Sequence, residues 1–74
     1  MRTMRYRSSI DRLIGSVGIA VTVIPPDRMG MGIVKVNGQQ WSAVTDNPEP
    51  IPAGSKIWVS ARDQITLIVV ADQG

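Results

Sequence analysis

The chain offers little reactive chemistry, and the little it has falls at the wrong spacings. Nucleophilic catalysis needs an activated hydroxyl or thiol beside a base. Ser55-Lys56 is the one serine next to a lysine. Neighbouring residues of a strand point to opposite faces, so this pair makes no dyad there. Asp27, Asp46, Glu49 and Asp63 fall in loop-forming stretches and read as solvated turn residues. The chain contains no cysteine and no histidine, which removes disulfides and the usual zinc sites. "GMGIVK" and "PAGSK" lack the spacing of a phosphate loop, and neither is expected to open a helix. These residues point to no enzyme, no cofactor and no metal.

What remains is surface chemistry: two tryptophans, an arginine-rich start and several unplaced apolar residues. Residues 1–12 carry Arg2, Arg5, Arg7 and Arg12 against Asp11, a balance of +3. Residues 13–74 carry Arg28, Lys35, Lys56 and Arg62 against Asp27, Asp46, Glu49, Asp63 and Asp72, a balance of −1. Basicity therefore belongs to an N-terminal arm, residues 1–12, and the remainder, residues 13–71, reads as one near-neutral domain. Such an arm suits phosphates or an anionic membrane surface. The longest uncharged apolar stretch, Leu13 to Pro26, is shorter than the ~20 residues a spanning helix needs.

The elements that must position these residues are almost all strands. "SSIDRLIG" predicts one or two helical turns capped by Ser8 or Ser9, with Ile10, Leu13 and Ile14 on one face. "VGIAVTVI", rich in β-branched residues and stopped by Pro25-Pro26, predicts a strand over 17–24. "DRMGMG" reads as a loop in which Gly30 and Gly32 supply backbone freedom. Asn37-Gly38 between "IVKV" and "QQWSAV" is a strong hairpin signal, because both central residues of a type I′ turn need positive φ. Pro48, Pro50 and Pro52 forbid a helix in "TDNPEPIPAG". "SKIWVSA" and "ITLIVV" complete five short strands around a turn at Arg62-Asp63-Gln64, which predicts an all-β small barrel.

Alternation then sorts the side chains. Gln40, Ser42 and Val44 form the more polar face of their strand, so Trp41 is expected inside, as the largest plug of the core. Ile57, Val59 and Ala61 turn inward, leaving Lys56, Trp58, Ser60 and Arg62 outside. Lys35 outside puts Ile33 outside, and Ile24 inside puts Val21 and Val23 outside. Val21, Val23, Ile33 and Trp58 are thus the expected exposed apolar surface, of the kind that marks a contact. A single-stranded nucleic-acid binder is the competing reading, but it needs exposed aromatics in a basic groove. One outward tryptophan on a domain of balance −1 makes a weak platform.

The order of these features resembles the C-terminal soluble domain of NfeD-like proteins. The matching residues are Gly15 and Gly18, Pro26 and Gly32, Gly38 and Trp41, Ile51, Gly54, Ile57 and Val59, and Leu67 and Val69. One departure is the longer path from Pro26 to Gly32 through "PDRMGMG". The resemblance implies a five-stranded barrel of the oligonucleotide-binding (OB) type that lacks the usual helix between strands 3 and 4. It also implies a non-catalytic partner domain, tethered to a bacterial-type inner membrane by preceding helices. The partners implied are stomatin-, prohibitin- or flotillin-like membrane proteins, in membrane organisation or membrane-protein quality control. Long relatives carry a serine-protease domain upstream. On this reading Arg2, Arg5 and Arg7 are a juxtamembrane segment, which places the domain on the cytoplasmic side.

Overall fold

A computed structural model describes residues 10–72 of the chain; Ser8, Ser9 and the Arg2, Arg5 and Arg7 arm lie outside them. The strands are β1 (Val17–Ala20), β2 (Gly32–Val36), β3 (Gln39–Val44), β4 (Lys56–Asp63) and β5 (Thr66–Ala71). They close into a barrel in the order β1-β2-β3-β5-β4, with β4 returning to β1. All neighbours are antiparallel except β3 and β5, which run parallel through Ala43↔Leu67 and Val44↔Ile68. That order, with its parallel seam, is the OB arrangement. Between β3 and β4 there is no helix; Ile51 instead forms a lone bridge to Ile24.

The Asn37-Gly38 hairpin forms as expected, with φ of 53° and 81° at the two central residues. It sets the β2–β3 register, including Val34↔Trp41 and Lys35↔Gln40. The core holds Val34, Val36, Ala43, Ile57, Val59, Leu67 and Val69 from the strands, with Ile24 and Ile51 beneath them. Trp41 shares this inner face, opposite Val34, but it is half-buried and packs against the cluster rather than filling it. The largest wholly buried side chains are isoleucines and Leu67, so Trp41 is a stopper at the edge of the core and not its central plug.

Four local expectations change in the folded chain. The predicted helical turns are a 3-10 turn, Asp11–Leu13. With three residues per turn, i and i+3 eclipse, so Ile10 and Leu13 are buried while Ile14 points outward. β1 stops at Ala20, not Ile24: the N–H groups of Val21 and Thr22 both donate to the Ile33 carbonyl, at 2.7 and 3.2 Å. Two residues opposing one is a bulge, and it bends the chain away before Ile24 re-pairs with Ile51.

In the β1–β2 loop, a second 3-10 turn spans Pro26–Arg28, and the positive φ values belong to Asp27 and Arg28, at 54° and 57°, not to the glycines. Their N–H groups donate to Asn47 and Thr45 carbonyls, at 2.9 and 2.8 Å, which holds this conformation against the β3 exit. Finally, β4 reaches Asp63, so the turn to β5 is Gln64-Ile65.

Candidate functional site

β1 carries an unusual pattern. Its inward residues are the small ones, Gly18 and Ala20, both buried. Its outward residues are the large ones: Val17 is 49% exposed, Ile19 46%, and Val21, just past its end, 42%. Room explains the inner face. A Cβ on Gly18 would lie 2.4 Å from the Lys35 carbonyl oxygen and 2.7 Å from Val36 Cγ2. The barrel closes too tightly around β1 to admit a side chain there. The outer row has no such constraint and no covering element among the described residues. Leaving three branched side chains in water forfeits burial worth about 25 cal/mol per Å² each.

The neighbouring strands complete the surface. Ile19 pairs with Lys35 on β2 and with Lys56 on β4, so a lysine stands on each side of the row at its midpoint. Val17 pairs with Trp58, which in turn pairs with Val70. Trp58 is 41% exposed and sits beside valines. At the other end Val21 abuts Ile33, which faces outward as expected but is half-buried, and Val23 continues the exposed apolar line. The structure therefore places Val21 and Ile33 together at one end of the row and Trp58 at the other, with Val23 exposed beyond the bulge. Val17 and Ile19 join them. The parity argument that turned Val21 outward applies equally to these two, so the signal for both was present in "VGIAV".

One expected neighbour of Trp58 is absent from its row. A register shift lies between Val59 and Ala61, where Ser60 is an extra residue whose hydroxyl donates to the Ile68 carbonyl at 3.1 Å. Beyond it the alternation inverts. Arg62 pairs with Leu67, and its guanidinium donates to the Asp11 carboxylate and, at 2.9 Å, to the Gln64 carbonyl. Arg62 thus ties the 3-10 turn to the barrel instead of flanking Trp58. Trp41 faces inward, so Trp58, with Lys56 on its own face of β4, is the one exposed tryptophan of these strands, and a single aromatic is a small platform for base stacking.

Three of the described carboxylates, Asp11, Asp46 and Asp72, lie against cations. Arg28 Nη2 donates to Asp46 Oδ2 at 3.0 Å, and this hydrogen bond and charge hold the Asp46 carboxyl below its usual range. Asp46 in turn raises Arg28. Lys56 Nζ lies 3.9 Å from Asp72 Oδ2. A cleft of about 430 Å³ between the proline-rich loop and the end of β5 is lined by residues including Glu49, Pro50, Ser55, Lys56 and Asp72. Lys56, which also flanks the β1 row, forms one of its walls. None of the described residues forms a cluster of three or more potential metal-ligating side chains. No helix of the described residues is long and apolar enough to cross a membrane.

Comparison with known proteins adds the family. The chain is 32% identical over 69 residues, 93% of its length, to the membrane-bound protease PH1510 of Pyrococcus horikoshii. It spans only 15% of that relative. Among solved structures it resembles the C-terminal domain of stomatin operon partner protein 1510-C from the same organism. The TM-score is 0.76 at 31% identity, over 92% of this chain and 100% of that one. Two further structures share the fold. The soluble domain of a membrane protein implicated in regulation of membrane protease activity, from Corynebacterium glutamicum, has a TM-score of 0.74 at 22% identity, covering 84% and 95%. The soluble domain of the NfeD protein YuaF from Bacillus subtilis has 0.69 at 24%, covering 96% and 95%. The family model for the NfeD-like C-terminal, partner-binding domain matches residues 10–70. This chain belongs to the family of NfeD-like C-terminal, partner-binding domains.

Proposed function

We propose that this domain is a non-catalytic interaction module of a membrane protein, and that it captures a stomatin-, prohibitin- or flotillin-like membrane protein. The task it serves is membrane organisation or membrane-protein quality control. The observation that carries the reading is the inverted β1, whose large apolar side chains face water while its small ones face the core. Val21, Val23, Ile33 and Trp58, extended by Val17 and Ile19, are the contact surface. A relative of similar sequence is a stomatin operon partner in Pyrococcus horikoshii, which supports the class of partner. Arg2, Arg5 and Arg7 are a membrane-proximal segment next to anionic lipid, on the cytoplasmic side of a bacterial-type inner membrane.

The test is co-purification with a stomatin-type protein from the same genome. Trp58→Ala is expected to weaken capture while changing the melting temperature little. Unchanged capture after substituting Val21, Val23, Ile33 and Trp58 together would overturn the surface.

A further inference from the structure

We infer that the β1 row receives an amphipathic α-helix of the partner, with acidic side chains along both edges of its apolar stripe. This rests on the reading that the row is the partner surface, and it specifies what lies on it. Three features of the row lead there.

The first is that β1 has no free edge. Gly18 pairs with Val36 on one side and Ile57 on the other, so both backbone ladders are filled where the row runs. A partner strand cannot add to β1, and the contact must be made by side chains on the sheet face. The second is width. Lys35 and Lys56 lie one strand to either side of Ile19, so their backbones are about 9.5 Å apart at the usual strand spacing. An α-helix with side chains is about 10–12 Å across. A helix laid along Val17, Ile19 and Val21 has one lysine reaching each flank. The row from Val17 to Val21 is about 13 Å long, which matches roughly nine helical residues, enough for anchors at i, i+3 or i+4, and i+7.

The third is charge. The outward positions around the row, Ile33 and Lys35 on β2 and Lys56 and Trp58 on β4, carry two cations and no carboxylate. Asp72 meets Lys56 from the β5 side at 3.9 Å, a long contact to a lysine that is itself well exposed and so able to turn, although Asp72 is mostly covered. An amphipathic helix places its polar residues at the margins of the apolar stripe. Glutamate or aspartate at both margins meets a cation on each side, whereas lysine at both meets repulsion on each side. Trp58 and Val70 extend the apolar floor under one end of the helix, and Ile33 under the other.

The experiment uses the full chain and two synthetic peptides of about 18 residues with the same leucine stripe. One has glutamates and the other lysines along both margins, and binding is read by anisotropy of a labelled peptide. The glutamate peptide is expected to bind at least about tenfold more tightly at ~0.1 M salt, where the Debye length is ~10 Å, and the preference should shrink at ~1 M. The double variant Lys35→Glu/Lys56→Glu should reverse the preference. Ile19→Ser/Trp58→Ala should weaken both peptides, while circular dichroism reports an unchanged fold.

Equal binding of the two peptides, or a preference unaffected by the lysine reversal, overturns the inference. So does tighter binding of the chain to phosphatidylglycerol vesicles, lost in the same variants, since that makes a lipid surface the occupant. If Ile19→Ser/Trp58→Ala abolishes capture of the stomatin-type protein while the lysine reversal leaves it intact, the surface stands and the acidic helix falls. If neither variant alters capture, the surface itself is wrong.

Discussion

The two faces of β1 are governed by different demands. Inward, Gly18 meets the Lys35 carbonyl and a Val36 methyl so closely that even one added carbon has nowhere to go, and Ala20 is buried beside it. Outward, Val17, Ile19 and Val21 are between 42% and 49% exposed. β4 shows the ordinary arrangement, with Ile57 and Val59 buried and Lys56 outside. The contrast separates two reasons for an apolar residue. Those of β4 hold the barrel together; those outside β1 contribute nothing visible to it, and a surface that costs solvation without stabilising its own domain is best explained by what it contacts. The two lysines beside Ile19 repeat the contrast in charge, since Arg28 and Arg62 instead pair with Asp46 and Asp11 and fasten loops to the barrel.

Substitutions at the two faces should therefore behave oppositely. The largest effect is expected from Gly18→Val, which forces atoms into the Lys35 carbonyl and Val36. It should cost about 3 kcal/mol or more, visible in denaturant titration as a chain largely unfolded before the wild-type midpoint. A Gly18→Val protein of native stability would mean that the barrel is looser than drawn.

Trp41→Ala should rank next, at about 2–3 kcal/mol, because the indole is half-buried against the core. Trp41→Phe sharpens the point. The Trp41 Nε1–H is buried without a hydrogen-bond partner, so removing it while keeping a ring should cost under about 1 kcal/mol. A loss as large as that of Trp41→Ala would mean that the core needs the full indole volume and not merely a ring. On the outer face, Ile19→Ser should move stability by no more than about 0.5 kcal/mol while reducing partner capture. A melting point lowered as far as in Trp41→Ala would place Ile19 in the core's service and dissolve the comparison.

The smallest effect concerns Arg28 and Asp46. The folded-state carboxyl of Asp46 is held below its unfolded value of about 3.9, so its contribution is present above that pH and fades as pH falls through the lower folded value. Asp46→Asn should melt slightly below wild type at neutral pH, and the gap should close in strong acid. Because both side chains are exposed, the gap will be small and reduced by salt. A gap that persists in acid would assign the difference to packing.

Much of the architecture is legible in the sequence. The Asn37-Gly38 turn, the inward Trp41, the outward Val21, Val23 and Trp58, and the helix-free passage through Pro48, Pro50 and Pro52 all follow from signals within a few residues of one another. Ile33 was placed on the correct face, though its half-burial was not, since shielding by the bulged Val21 and Thr22 arises across strands. Val17 and Ile19 went unread as surface because an apolar strand invites the assumption that its large side chains are the buried ones. Arg62 was put beside Trp58 because alternation takes no account of a bulge, and nothing in "WVSAR" marks Ser60 as the extra residue.

By itself, the sequence determined the number of strands, the Asn37-Gly38 turn and the parity of most side chains, because turn geometry and alternation are properties of adjacent residues. Only the tertiary structure decided that β3 and β5 run side by side in parallel, that β1 is squeezed until Gly18 and Ala20 alone fit inside, and that Lys35 and Lys56 meet across Ile19. Those depend on pairings between segments distant in the chain, where closure entropy and close packing choose among registers that local pattern leaves equivalent.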